Sequence, residues 1–302
     1  MATLRPIAVT LGDPAGIGPE VIDSALRSSA LNTSVPFEII GKPSGKPGTP
    51  NDAGARQALE AMDAAAEGLR TGRYSGVVTG PIHKARMRAI GFNYPGQTEF
   101  FADRLSVTNY AMCLTGGNLT VALVTVHEPL SRVPSLLRSS EITRIGGLLE
   151  QFLRARLGRT PRIAVAGLNP HAGESGLMGN EERDIIAPAI ERLAAEPKAR
   201  GSANIYSGPW SPDTVFHRAL SGDFDGVLCM YHDQGLIPLK LHAFDSGVNI
   251  TLGLPFPRTS PDHGTAFEIA GCGIASPSSM IAAMNLASDL VRNGTSGNGT
   301  SE

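Results

Sequence analysis

The sequence predicts an α/β fold with a mixed sheet, in a chain long enough for two domains. Short apolar segments of strand character alternate with longer segments of helical pattern, an arrangement that packs helices against a sheet. Two strand-like segments near the middle, 110–114 and 120–126, flank a four-residue Thr-Gly-Gly-Asn turn, which is a hairpin signal and adds an antiparallel pair. The 302 residues suffice for one large or two modest hydrophobic cores.

Composition describes an ordinary globular chain and excludes several classes of partner. Charged residues make up 18% of the chain and the formal net charge is −2, so no basic excess points to nucleic acid. Cys113, Cys229 and Cys272 lie far apart without a CxxC spacing, which favours reduced thiols over disulfides. No apolar run approaches the roughly 20 residues that span a bilayer, and no signal peptide precedes the first strand. We therefore expect a cytoplasmic protein without a membrane partner.

The N-terminal part of the chain is predicted to contain three strands, at 6–11, 37–40 and 76–80, and a helix at 55–69. The first strand runs into Gly12-Asp-Pro-Ala-Gly-Ile-Gly-Pro-Glu20, with Pro19 at the first turn of the next helix. Such a turn can bind an anion through backbone N–H groups or can simply connect strand and helix, and both interpretations stay open. It matches neither GxGxxG nor the P-loop pattern, so a Rossmann fingerprint is absent.

After the hairpin, the chain continues the alternation. Strands are predicted at 162–167, 226–231 and 247–253, and helices at 140–157, 181–195 and 276–291. Residues 210–216 are expected to form a loop that leads into a short helix. The tail 293–302 is built largely of Asn, Gly, Thr and Ser and is expected to be disordered.

Three histidines occupy the same position relative to three predicted strands. His127, His171 and His232 each follow a buried strand closely. Strand ends at one edge of a sheet converge, and three imidazoles with a vacant fourth position are typical of a catalytic zinc-type site. The structural alternative is that each imidazole caps a strand end by bonding to backbone. The repetition favours the metal site.

Other polar residues near these strands suggest ligands for a metal or a phosphate. Asp213 and Asp233 could touch the metal or orient an imidazole. Lys240 and Arg258 flank the strand that contains Asn249, and all three could reach a phosphate, Arg258 by a bidentate fork. A solvated surface position is the alternative for each.

Several long segments resemble the 4-hydroxythreonine-4-phosphate dehydrogenase family of pyridoxal phosphate biosynthesis. They are Gly12-Asp-Pro-Ala-Gly-Ile-Gly-Pro-Glu20, Pro95-Gly-Gln-Thr-Glu-Phe100, Gly167-Leu-Asn-Pro-His-Ala-Gly-Glu174, Met230-Tyr-His-Asp-Gln-Gly235 and Gly247-Val-Asn-Ile-Thr-Leu-Gly-Leu-Pro-Phe-Pro-Arg258. The segment from Asp262 to Ala275 is similar to the adenosine-binding loop of isocitrate and isopropylmalate dehydrogenases, whose fold the family shares. The resemblance therefore implies a two-domain α/β/α fold that binds NAD(P) without GxGxxG.

The resemblance also implies roles for individual residues. His127, His171 and His232 would bind one divalent metal, Zn, Mg or Co, with ligands drawn from both subunits of a homodimer. The residues implied to hold a phosphorylated hydroxy-acid substrate are Gln97, Thr98, Lys240, Asn249 and Arg258. Those implied to bind NAD or NADP are His263, Gly264, Thr265 and Ala266. Asp213 and Lys240 are the catalytic candidates, and a metal-bound water is the alternative to Asp213 as acceptor of the hydroxyl proton. The family pattern has His where this chain has Gln97, and Gln cannot carry a proton or a charge.

The implied reaction is oxidation of the secondary hydroxyl of 4-phosphohydroxy-L-threonine, followed by decarboxylation to 3-amino-2-oxopropyl phosphate. A cofactor-side domain is expected at 1–95 with 252–292, and a metal, substrate and dimerisation domain at 96–251. The alternative within the same enzyme class is a D-threonate or D-erythronate 4-phosphate dehydrogenase. A phosphate- or metal-binding protein without catalysis is a remote alternative, which the adenosine-like loop disfavours.

Overall fold

The protein is described by a computed structural model for residues 4–195 and 205–297. The chain forms two compact units. One contains the chain up to Asn109 and from Asp245 onward, and the other contains Tyr110–Phe244. The functional division proposed from the sequence, with boundaries at 95 and 251, stays a prediction.

The first unit is built on five strands in the order β2-β1-β3-β10-β9. They are β1 (Ile7–Thr10), β2 (Phe37–Ile40), β3 (Gly76–Thr79), β9 (Val248–Leu252) and β10 (Arg258–Pro261). All neighbours are parallel except β10 and β9, which are antiparallel. Strands β1 and β3 are buried throughout, as expected of parallel strands covered on both faces.

Among the described residues, five α-helices belong to the first unit. They are α1 (Gly18–Leu26), α2 (Asp52–Arg70), α3 (Lys84–Ala89), α4 (Gln97–Arg104) and α10 (Ser278–Gly297). The alanine-rich face of α2 packs with Phe100 and Phe101 of α4 and with Val77 of β3 in one hydrophobic cluster. Small side chains on α2 let the aromatic rings of α4 approach, and this packing fixes the N-terminus of α4 near the end of β3.

The five strands of the second unit lie in the order β4-β5-β8-β6-β7. The strands are β4 (Ala111–Gly116), β5 (Leu119–Leu123), β6 (Ile163–Ala166), β7 (Tyr206–Trp210) and β8 (Gly226–Cys229). β4 and β5 form the predicted antiparallel hairpin, whereas β5, β8, β6 and β7 run parallel. The C-terminal ends of β5, β8 and β6 therefore lie at one edge of the sheet.

The helices of the second unit are α5 (Val133–Leu136), α6 (Ser139–Leu157), α7 (Ala187–Ala195), α8 (Val215–Leu220) and α9 (His232–Ala243). A single π-helical turn, Glu182–Ile186, continues directly into α7. Within the described residues, every helix is too short or too polar to cross a membrane.

The sequence prediction was wrong about α9. No helix was predicted between β8 and β9, whereas the segment after β8 is helical through both Gly235 and Pro238. Gly235 suits this position because a Cβ would lie only 3.0 Å from Cys229 Sγ and 3.1 Å from Leu123 Cδ2. Close packing against the sheet therefore overrides the poor helix propensity of these residues.

Four other elements also differ from expectation. The hairpin turn is shorter than predicted, since β4 reaches Gly116 and leaves two residues, Gly117 and Asn118, before β5. No strand was predicted at β7 or at β10, each of which contains proline and lacks an apolar run. The tail expected to be disordered begins inside α10, which continues to Gly297. Residues 298–302 lie outside the described chain.

Candidate active site

Arg258, the first residue of β10, is a buried cation surrounded by hydroxyl groups. Its side chain is 4% exposed. Nη2 donates to Thr79 Oγ1 at 2.7 Å, and Nη1 donates to Thr98 Oγ1 at 3.2 Å and Thr251 Oγ1 at 3.3 Å. Burial lowers the pKa of Arg258 to about 10, so the guanidinium still carries its charge at neutral pH. Within the described residues, no carboxylate forms an ion pair with it.

Two polar side chains of the same unit leave acceptors without partners. Gln97 Nε2 donates to Gly80 O at 3.0 Å, whereas Gln97 Oε1 is buried and unpaired within the described residues. Asn249 Oδ1 on β9 and Arg258 Nε are likewise buried without a partner there. Unpaired buried polar atoms are costly unless a ligand satisfies them. Together with Thr98 at the start of α4, where helix N–H groups favour anions, they suit a phosphorylated polar ligand.

The second unit brings two of the three predicted histidines together. His127 follows β5 and His232 opens α9, and their ring centroids lie 5.6 Å apart, a separation that two imidazoles on one ion can adopt. His232 Nδ1 lies 2.7 Å from Asp233 Oδ1. A carboxylate at Nδ1 orients the ring and leaves Nε2 for a metal, as in many carboxylate–histidine–metal arrangements.

The third histidine lies beside a carboxylate instead. His171 and Asp213 line one small cleft with Pro170 and Pro212. A hydrogen bond from Ser211 Oγ, together with the nearby His171, lowers the pKa of Asp213. Imidazole and carboxylate ligands both suit divalent first-row metals.

A complete three-histidine site does not form within the described part of one chain. Among those residues, no group of three or more His, Cys, Asp or Glu side chains is close enough to hold a metal ion. The expectation that the imidazoles meet at one point is therefore not met by a single chain. The pair His127 and His232 and the pair His171 and Asp213 each offer a partial ligand set.

Lys240 and Asn249 belong to different units. Lys240 lies on α9, and its Nζ is 5.8 Å from the centre of the Phe244 ring. Asn249 lies on β9 of the first unit, the unit that also contains Arg258.

The adenosine-like loop packs against the glycine-rich turn after β1. Ile17 N donates to Thr265 O at 2.9 Å, and a Cβ at Gly16 would lie 2.8 Å from the same oxygen. His263 Nε2 is buried without a partner within the described residues. A Cβ at Gly264 would meet no atom within 4 Å, so open space lies beside this backbone. Ala266 has a positive φ of 42°.

Sequence reasoning missed several polar residues near these groups. Thr79 and Thr251 surround Arg258 but carry no sequence signal beyond their positions in strands. Asp13 was visible inside the glycine-rich turn. It is 1% exposed, its Oδ2 is unpaired within the described residues, and burial raises its pKa. Gln234 stands beside the predicted His232 and could have been found from that motif.

Comparisons with known proteins give matches along nearly the whole chain. The family model for pyridoxal phosphate biosynthetic protein PdxA matches residues 19–287. The 4-hydroxythreonine-4-phosphate dehydrogenase of Methylorubrum populi is 41% identical, and the match covers 95% of each chain. The crystal structure of 4-hydroxythreonine-4-phosphate dehydrogenase from Klebsiella pneumoniae has 36% identity and a TM-score of 0.83, covering 96% of this chain and 99% of that one.

A more distant match tests the fold alone. Isocitrate dehydrogenase from Methylococcus capsulatus is 17% identical with a TM-score of 0.53, and the match covers 97% of this chain and 86% of that one. The expected isocitrate dehydrogenase-like fold is confirmed.

Proposed function

This chain belongs to the family of pyridoxal phosphate biosynthetic protein PdxA, and on that premise we propose that it oxidises 4-phosphohydroxy-L-threonine with NAD(P). The product loses carbon dioxide to give 3-amino-2-oxopropyl phosphate. The observation that carries the proposal is Arg258, a buried guanidinium with hydroxyl partners. Within the described residues it forms no ion pair, and the Glu99 carboxylate interacts with it only electrostatically. A phosphate dianion would supply the missing charge and accept charge-assisted hydrogen bonds.

The chain's own polar groups support this substrate class. Thr98 and the Arg258 Nε–H would hold the phosphate, while the Gln97 and Asn249 oxygens accept hydrogen bonds from hydroxyl or ammonium groups of the substrate. Because Gln97 has no ionisation near neutral pH, it positions substrate without exchanging protons. Lys240, on α9 of the second unit, stays a proposed substrate ligand and catalytic candidate.

The histidines fit a divalent metal, and their imidazole-rich set favours Zn or Co over Mg. When bound, the metal lowers the pKa of the substrate hydroxyl. His127, His171 and His232 would hold it, with Asp233 orienting His232. The lowered pKa of Asp213 makes its carboxylate a weak proton acceptor, so Asp213 acts better by ligation or orientation than as a general base.

The partial ligand sets support a homodimer in which a second copy completes the metal site. Three exposed apolar side chains, Ile237, Leu241 and Phe244, form a stripe that starts on α9 a little over one turn after His232. Leu177, 81% exposed, lies just after the turn that carries His171. Apolar surface beside each partial site is suited to burial against another subunit.

The nicotinamide cofactor is proposed to lie along the loop 263–266, since Gly264 borders open space and His263 Nε2 lacks a partner. The cofactor accepts the hydride. This loop and the glycine-rich turn would bind the cofactor, with NAD as the first candidate. We place the protein in the cytoplasm, where that cofactor is available.

The decisive experiment supplies purified protein with a divalent metal, NAD or NADP, and one phosphorylated acid at a time. Formation of reduced cofactor with 4-phosphohydroxy-L-threonine, together with release of carbon dioxide, supports the proposal. Faster turnover of D-threonate or D-erythronate 4-phosphate would replace it by the sugar-acid activity. Absence of reduction with every acid and both cofactors would contradict a dehydrogenase.

A further inference from the structure

The strand ends that carry the three histidines are joined by buried hydrogen bonds. At the end of β5, Thr125 donates to Met230 O through both its backbone N at 3.1 Å and its Oγ1 at 2.8 Å. Met230 directly follows β8 and precedes His232 by two residues. The peptide of Met230 therefore fixes the His127 segment relative to the start of α9.

The side chain of Gln234 extends this connection to β6. Gln234 lies in the first turn of α9 and is 6% exposed. Its Oε1 accepts a hydrogen bond from Met230 N at 2.6 Å, and its Nε2 donates to Gly167 O at 2.7 Å. Gly167 follows β6 and precedes His171 by four residues. One buried amide thus links the His232 helix to the His171 segment, with both its polar ends satisfied.

The His171 segment needs such support because its backbone is strained. His171, Ala172, Gly173, Glu174 and Ser175 all have positive φ, from 44° to 81°. A left-handed conformation costs a non-glycine residue about 1–2 kcal/mol, and it persists only where surrounding contacts hold it. Four of these five residues have a Cβ, so the turn does not form from local preference.

A second buried side chain, that of Glu182, also stabilises the segment that carries His171. Glu182, 5% exposed, accepts hydrogen bonds from Leu168 N and Asn169 N, each at 2.7 Å, and from Asn169 Nδ2 at 3.0 Å. Gly173 fits against this carboxylate only because it lacks a Cβ, which would lie 2.6 Å from Glu182 Oε2. Glu182 stabilises the backbone at the start of the segment through Leu168 and Asn169. Gln234 instead fixes the position of the segment relative to α9 through Gly167.

We propose that Gln234 is a positioning residue, which holds the His171 turn at a fixed place relative to His232 and thereby sets the metal affinity of the site. Both polar ends of the Gln234 side chain bond to backbone, at Met230 N and Gly167 O, so Gln234 acts through these two residues. The metal part of this inference rests on the proposed function. The positional part concerns the metal-free chain and stands on the hydrogen bonds alone.

The test compares Gln234→Met with a matched control, Tyr206→Phe. The first change removes both hydrogen bonds at similar side-chain length. The control removes a mostly buried hydroxyl of the same unit, which donates to Glu150 Oε2 at 2.5 Å, without touching the three strand ends. Gln234→Glu is the second variant, since it keeps the acceptor for Met230 N but loses the donor to Gly167 O.

In metal-free protein, hydrogen exchange of the amides from 167 to 173 should accelerate about tenfold or more in Gln234→Met, and at least as much in Gln234→Glu, where a carboxylate oxygen would face Gly167 O. The control should leave these amides unchanged. Co²⁺ added to the metal-free protein should bind about 10- to 100-fold more weakly in Gln234→Met, the usual effect of losing an outer-shell partner, and with parental affinity in Tyr206→Phe.

Two results would overturn the proposal. One is a hydrogen-exchange rate for the amides from 167 to 173 in Gln234→Met that equals the rate in the control, or that rises by the same factor throughout the chain. The other is parental Co²⁺ affinity in Gln234→Met in a protein where His232→Ala abolishes Co²⁺ binding. If His232→Ala binds Co²⁺ like the parent, the metal assignment fails instead, and the exchange experiment still decides whether Gln234 positions the turn.

Discussion

Arg258 Nη2 donates a 2.7 Å hydrogen bond to Thr79 Oγ1, and both side chains are buried. A buried guanidinium is normally neutralised by a carboxylate. Here hydroxyls from β3, α4 and β9 orient the group without neutralising it. The Glu99 carboxylate interacts with Arg258 electrostatically but forms no ion pair with it within the described residues, so the guanidinium can still bind an anionic ligand.

Replacing Arg258 by Ala should lower kcat/KM for the phosphorylated substrate by about tenfold to a hundredfold. Hydrogen bonds to a charged group contribute about 1.5–3 kcal/mol, and about 1.4 kcal/mol corresponds to a factor of ten. Arg258→Lys should recover only part of the loss, because an ammonium cannot reproduce the planar fork. Steady-state kinetics with reduced-cofactor absorbance measures both.

The dephosphorylated substrate is the control for this experiment. The parent enzyme should use it poorly, and Arg258→Ala should make little further difference. An equal loss on both compounds would show that Arg258 supports the fold and that the phosphate binds elsewhere.

Replacing His171 by Asn should strip the metal and most activity while leaving the fold intact. Asn is chosen because it tolerates the left-handed backbone at this position better than Ala does. His217, exposed on α8, provides the matched control as His217→Asn. Metal content of the purified variants decides the question. A His171→Asn protein that retains the parental metal content would remove His171 from the ligand set.

The limits of sequence prediction are visible around His171. The strand before it, β6, was predictable because a continuous apolar run precedes the Gly-Leu-Asn-Pro segment. The left-handed turn was not predictable, since it depends on Glu182, eleven residues further on, and on Gln234, sixty-three residues away. Long-range hydrogen bonds of this kind leave no periodic signal. The same reasoning applies to Thr79, which becomes part of the Arg258 environment only through the pairing of β3 with β10.

Stability should fall in acid through Asp225, which lies just before β8. Burial would raise the pKa of this carboxyl, but hydrogen bonds from Arg159 and Arg162 lower it to about 2. Because the folded pKa lies below the unfolded value of about 3.9, the stabilisation is complete above pH ~4 and is lost as the pH falls towards 2.

Asp225→Asn should therefore lower the free energy of unfolding at pH 7 by about 1–2 kcal/mol, a figure that allows for solvent screening at the exposed Arg159. In the variant, the free energy of unfolding should also depend less on pH between about pH 4 and pH 2. Urea unfolding at a series of pH values measures both effects. Asp23→Asn, which alters an exposed carboxylate paired with Arg27, should leave both almost unchanged, and an equal effect of the two variants would refute the role of Asp225.

Replacing Gly264 by Val should raise the KM for NAD far more than the KM for the phosphorylated acid. The backbone at Gly264 needs no positive φ, and an added Cβ meets no protein atom within 4 Å, so the substitution should not disturb the fold. Its branched side chain would instead occupy space that the adenosine of the cofactor needs. Gly147→Val is the matched control, because a Cβ there is equally unobstructed but lies on α6, outside the proposed cofactor loop. If Gly264→Val raises both Michaelis constants alike, or lowers Tm more than Gly147→Val does, the loop supports structure and the cofactor binds elsewhere.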